Sequence, residues 1–225
     1  MTEKIFTPWV LIAFVCLTCI AGLLFLCSLQ TQAAGVADFE ALEKEIVKEV
    51  NLARTSPGFY ASWLRGQRQY YRGTQLRRPG EVPIRTKEGI AAVDEAIRFL
   101  EKQKPVGSLA LSRGLSLAAR DLVAPQGASG GFGHKGADGS TPSDRIGRHG
   151  NWESVIGENI AYGQSTARDV VAAFIVDDDV PGRGHRTNLF NTAFHVMGVD
   201  CGPHSTYGTT CAITFAGGFR EKPGP

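Results

Sequence analysis

From residue 38 onward, apolar positions recur at helical spacing in four stretches and alternate in two. Asp38 is placed to cap a helix through EALEKEIVKEVNLAR, with Phe39, Leu42, Ile46 and Val50 along one face, and Pro57 ends it. TKEGIAAVDEAIRFLEKQKP repeats the pattern with Ile90, Val93, Ile97 and Leu100, and Pro105 follows. A third helix begins at Ser112 and sets Leu115, Ala118, Ala119 and Leu122 at i, i+3, i+4 and i+7. A fourth starts near Thr166 with a capping-box pattern, presents Val170, Val171, Phe174 and Ile175, and stops at the aspartates that follow. FHVMGVDC and CAITFAGGF alternate as strands, and GPHSTYGTT between them predicts a hairpin. Helices first and strands last predict an α+β arrangement.

Two stretches show no period. Residues 57–86 carry Arg65, Arg68, Arg72, Arg77, Arg78 and Arg85 among Trp63, Tyr70 and Tyr71, opposed only by Glu81. This reads as a solvated basic loop, with contact to an anionic membrane or envelope surface through Arg65–Arg85 as its functional alternative. The glycine-rich run GASGGFGHKGADGSTPSDRIG lacks the Gly-Lys-Ser/Thr of a phosphate loop. Within it, Asp144 and Arg145 follow Pro142 and read as residues that fix a loop or helix start, while Asn159 and Asn188 read as holders of turns.

The first 33 residues differ from the rest. Lys4, the run PWVLIAFVCLTCIAGLLFLC and then TQAAG form a secretory signal pattern with a cut after Ala33. The run is also long enough to span a bilayer, so an uncleaved N-terminal anchor is the alternative. Residues 34–225 then form a single domain. Cys16, Cys19 and Cys27 leave with the signal, and Cys201 and Cys211, flanking the turn in an oxidising compartment, pair. The 225 residues are 43% hydrophobic and 20% charged with net charge +2, enough for one core and too little positive field for a nucleic-acid partner.

His134 stands in FGHKGADGSTPSDRI, Glu158 in IGENIAYG, and His185 in GRGHRTN after Asp177, Asp178 and Asp179. This ordered set, from about Leu109 to Phe219, resembles the CAP superfamily (cysteine-rich secretory, antigen 5 and pathogenesis-related-1 proteins), and within it the microbial extracellular SCP-domain proteins. The resemblance implies a three-layer α-β-α sandwich with a small antiparallel sheet. It also implies one cleft lined by His134, Glu158, His185 and an acid. Asp177 fits that fourth place, three residues after Phe174, and Asp178 competes for it. His149, His195 and His204 match no cleft position. Compact relatives lack a counterpart of residues 56–107, which therefore read as an insertion that covers or extends the cleft.

Such a set has more than one chemistry. Two neutral imidazoles, His134 and His185, with a carboxylate can hold a divalent ion, zinc foremost, and leave a position open for water. A carboxylate and an imidazole can instead move protons without metal. The bland alternative is that His134 and Glu158 only hydrogen-bond around glycine-rich loops. No H-E-x-x-H helix supports a protease, and no catalytic residue is assigned. The leading expectation is an extracellular or cell-surface domain whose cleft binds a ligand, a divalent metal and a lipid or sterol among the classes the resemblance suggests. The alternatives are a secreted metal-dependent hydrolase acting on peptide or envelope polymer, and an interaction module with a vestigial cleft.

Overall fold

The computed structural model describes residues 39–223, so the expected signal or anchor and the Asp38 cap lie outside the described residues. Helix α1 runs to residue 55 and buries Ile46, Val50 and Ala53. It is followed by α2 (Pro57–Gln67), a 3-10 turn, and short strands β1 (Tyr71–Arg72), β2 (Gln75–Leu76) and β3 (Ile84–Arg85). Then come α3 (Ile90–Lys102), β4 (Ala110–Leu111), α4 (Arg113–Ser129), α5 (Pro142–His149) and β5 (Gly150–Tyr162). The chain closes with α6 (Ala167–Val176), α7 (Gly184–Phe190), β6 (Val196–His204) and β7 (Gly208–Glu221).

The larger sheet has the order β4-β6-β7-β5, which makes β5 an edge strand. It is mixed, because β4 pairs parallel to β6 while the other pairs are antiparallel. Alternation along β6 and β7 sends Gly198, Asp200, Gly202, Ala212 and Ala216 toward α4. Phe215, on the other face, stacks on Phe194 at 5.2 Å. Helices α4 and α5 therefore cover one face, while α6 and α7 pack on β5 from the other. That is the expected three-layer sandwich. Close approach of α4 depends on missing side chains, since a Cβ on Gly198 would lie 2.0 Å from the Ser116 nitrogen. The bond between Cys201 and Cys211 closes the hairpin as expected.

Two helices start where the sequence predicts, although the capping box expected at Thr166 forms only its Thr166 half. Ser112 accepts the Leu115 amide and Thr166 the Asp169 amide. Thr141 and Asp144 form a reciprocal capping box at the start of α5, whereas Arg145 has a different task, described below. Arg54, wholly buried, donates to the carbonyls of Gly107, Leu189 and Asn191, tying α1 to two distant loops.

Residues 57–86 are not the irregular loop that their composition predicts. Pro57 is the first residue of α2, where its missing N–H costs nothing, and Pro57, Tyr60, Ala61 and Leu64 are buried at i, i+3, i+4 and i+7. Leu76 is buried too, in a three-stranded sheet of order β1-β2-β3. The arginines spread around these short elements mask the period. Acids from other elements also meet several of them: Arg65 pairs with Glu101, Arg68 with Asp94 at 2.7 Å and Arg78 with Asp169 at 2.7 Å. Arg72, Arg77 and Arg85 have no acidic partner among the described residues.

Candidate functional site: two histidine–carboxylate pairs and a cavity

The first pair lies at the end of α4. Gly130 stops that helix in the left-handed region (φ 74°), where glycine carries no Cβ penalty. The loop beyond is pinned from several sides. His204 Nε2 donates to the Gly131 carbonyl at 2.8 Å, and the Gly133 amide donates to the Tyr162 hydroxyl at 2.9 Å. Gln126 Nε2 donates to the Gly133 carbonyl at 2.7 Å. His134 emerges from this frame with its Nδ1 2.9 Å from Glu158 Oε1. A carboxylate only accepts, so Nδ1 carries a proton, and in the neutral ring Nε2 is the nitrogen with the lone pair. The His134 side chain is 51% exposed, whereas that of Glu158 is 2% exposed.

Arg145 is what makes this burial tolerable. Its Nη2 donates to Glu158 Oε2 at 2.7 Å and to the His134 carbonyl at 3.1 Å, and its Nη1 donates to the Ser140 carbonyl at 2.9 Å. One guanidinium thus compensates the buried carboxylate and fixes the backbone of the histidine bonded to it. Sequence reasoning assigned Arg145 to a helix start. The available signal was an arginine beside an apolar Ile146, eleven residues after His134 and thirteen before Glu158.

The second pair lies at the junction of α6 and α7. Asp177 ends α6 in the left-handed region (φ 52°), and Asp179 and Arg183 also have positive φ in the short connection. Several bonds hold this strained path. Asp177 Oδ1 is 2.6 Å from His185 Nδ1, and its Oδ2 accepts the His185 amide at 2.8 Å. Arg183 donates to both carboxylate oxygens of Glu88, and Arg186 to both of Glu95. Asp178 instead accepts the amides of Lys87 and Glu88 at 2.6 and 2.8 Å. Asp177 is therefore the acid on His185, and Asp178 anchors the approach to α3.

Adjacent residues of edge strand β5 serve the two pairs. Glu158 shares the α4 and α5 face with Ile156 and Ile160, while Asn159 points to α7. There Asn159 donates to the His185 carbonyl at 2.9 Å and accepts from Asn188 at 2.9 Å. These two asparagines hold α7 against the strand rather than holding turns. Both carboxylates are spent on Nδ1 atoms, a guanidinium and backbone amides. The donors left for a metal are the Nε2 atoms of His134 and His185, and no cluster of three or more His, Cys, Asp or Glu side chains is poised for an ion among the described residues. The remaining histidines are structural: His149 bonds Asp121, His195 the Gly217 carbonyl, and His204 the turn before β7.

Beside the second pair opens a cavity of about 800 Å³. Trp63, Tyr71, Leu76 and Ile84 form one wall, and Ile160, Tyr162, Phe174 and Val176 the other, with Asp177 and His185 at its edge. His134 and Glu158 are not among its lining residues. Residues 57–86 thus supply a wall of the cleft, which a reading of them as solvated loop misses. Their buried positions at helical spacing in α2 were the signal available for it.

Comparison with known proteins bears on the chain as a whole. The profile of the cysteine-rich secretory protein family, CAP, matches residues 48–215. A solved extracellular protein from Bacillus anthracis that contains an SCP domain is similar at 22% identity and a TM-score of 0.40, over 49% of this chain and 34% of that one. An outer surface protein from Borrelia burgdorferi is similar at 20% identity and a TM-score of 0.43, over 59% of this chain and 91% of that one. The chain spans about a third of the Bacillus protein's length. No curated protein sequence matches.

Proposed function

Since the chain belongs to the cysteine-rich secretory protein (CAP) family, we propose that it is an exported or surface-held domain that binds a small, largely apolar ligand in a cleft edged by Asp177 and His185. The observation that carries this is the cavity of about 800 Å³, which falls within the range of small-molecule sites and sets apolar walls such as Trp63, Leu76, Ile84 and Phe174 beside a polar margin. Export rests on the signal pattern before residue 34 and on the Cys201–Cys211 bond, which belongs to an oxidising compartment. Lipid and sterol are the ligand classes to try first.

The two free Nε2 atoms suit a weak divalent site, zinc above others, because each imidazole is backed at Nδ1 by a carboxylate, as ligating histidines are. Binding is favoured over hydrolysis, since Glu158 is held by Arg145 and His134 and offers no free base to water. Contact with an anionic surface would fall to Arg72, Arg77 and Arg85, which have no acidic partner among the described residues.

Calorimetric titration of the full chain with oleate, cholesterol and zinc tests the proposal. Saturable binding of oleate or cholesterol is expected, weakened by Ala173→Leu, which narrows the cavity, and unchanged by Leu111→Ser on the exposed surface. Zinc binding should fall in His134→Ala and His185→Ala and persist in His195→Ala. Failure of all three probes to bind would refute the ligand-cleft reading.

A further inference from the structure

The cavity lies against a row of unpaired backbone groups. The Gly163 amide donates inward to the Thr209 carbonyl at 2.8 Å. By strand alternation, the odd-numbered residues of β5 from 157 bond to β7, and Glu158, Ile160 and Tyr162 turn their N–H and C=O groups to the open side. Asn188 Nδ2 reaches the outward Glu158 carbonyl at 3.4 Å, so α7 closes the edge there. At Ile160 and Tyr162 the edge lines the cavity, and their outward backbone groups have no partner among the described residues. An open edge of this kind is usually blunted by charge or covered by another element, and Ile160 and Tyr162 supply no charge.

A second observation points the same way. Gln67 Oε1, Gln164 Oε1 and Arg78 Nε are buried without a hydrogen-bond partner, and all three residues line this cavity. Together with the strand edge they form a mixed set of donors and acceptors around an apolar space. An acyl chain could fill the space but would satisfy none of them. A polypeptide in extended form offers one N–H and one C=O on each side at every second residue, about 6.6–6.8 Å apart, the repeat of the edge itself.

We infer that the cavity beside β5 is a docking site for an extended peptide, which adds to the sheet as a fifth strand. This deepens the ligand-cleft reading and rests on it. The peptide pairs antiparallel or parallel with Ile160 and Tyr162. Its alternate side chains enter the space between Trp63, Leu76, Ile84 and Phe174, which selects apolar residues at every second position. Gln67, Gln164 and Arg78 complete the bonds on its far side.

The experiment screens the full chain against a pool of acetylated, amidated random octapeptides and carries the tightest binder forward. Amide hydrogen exchange is then followed with and without that peptide. Ile160 and Tyr162, open in the free protein, should slow by about tenfold or more, while Ala161, already bonded to β7, should not change. N-methylation of the alternate set of peptide amides that faces β5 should weaken binding by about tenfold or more, and methylation of the other set, which meets only the Gln67 and Gln164 side chains, should weaken it less. No saturable binder in the pool overturns the inference. So does a binder that leaves Ile160 and Tyr162 unprotected, or one indifferent to both methylation patterns. In each of these cases the oleate, cholesterol and zinc titrations still decide the ligand-cleft reading separately.

Discussion

Replacing Arg145 with methionine should cost this domain about 4 kcal/mol, a large part of the roughly 5–15 kcal/mol that holds a domain of this size together. The side chains of Arg145 and Glu158 are 1% and 2% exposed, so their 2.7 Å contact lies almost wholly out of water. Methionine keeps the stem but removes the charge and every donor. Glu158 then retains only His134, and the His134 carbonyl loses the Arg145 bond, while the Ser140 carbonyl still accepts from Gly136. Removing one partner of a buried ion pair typically costs about 3–5 kcal/mol, and the orphaned carbonyl lies partly within that figure. Urea unfolding of four proteins measures the effect: wild type, Arg145→Met, Glu158→Gln and the double variant. Each single change leaves the other partner uncompensated, whereas the double change leaves neither charge. The double variant should therefore be more stable than the sum of the singles predicts, by about 2 kcal/mol or more. A loss below about 1 kcal/mol for Arg145→Met, or strict additivity in the cycle, would mean that water reaches the pair and that Arg145 does not support the site.

Other perturbations test other layers. Burial pushes the Asp200 carboxyl up to about 7, with Glu43 adding to the rise and Arg120 opposing it. A folded pKa above the unfolded one makes the acid's contribution favourable at low pH and less so as pH rises from about 4 to about 7. Asp200→Asn should therefore gain melting temperature relative to wild type between pH 5 and pH 8, and parallel pH profiles would contradict this. Gly198→Ala should destabilise by about 3 kcal/mol or more in urea, because its Cβ would meet α4 backbone at 2.0 and 2.1 Å; a loss under 1 kcal/mol would show that α4 can shift. Changing both Cys201 and Cys211 to alanine should cost about 2–3 kcal/mol at most for a loop of sequence separation 10, and less because the β6–β7 ladder already orders it. A greater loss would mean that the bond also supports the α1 side of the sheet.

The sequence by itself determined what is local. Helical spacing located α3, α4 and α6, because one apolar stripe against a core leaves a period that composition cannot hide. Alternation and turn residues located the β6–β7 hairpin and its bond, and the motif order singled out His134, Glu158 and His185, with Asp177 and Asp178 as alternatives for the fourth place. Other features were decided only when distant parts of the chain met. Strand β5 was invisible because Glu158 occupies a core-facing position, a choice that is stable only with Arg145 folded over it. Asp177 was separated from Asp178 by which amides came within reach: those of α7 for the first and those before α3 for the second. Residues 57–86 read as loop because the arginines mask the apolar period of α2 and the two-residue strands are too short to show one. A side chain's spacing is written along the chain, whereas the compensation of a buried charge and the walls of a cavity exist only in three dimensions.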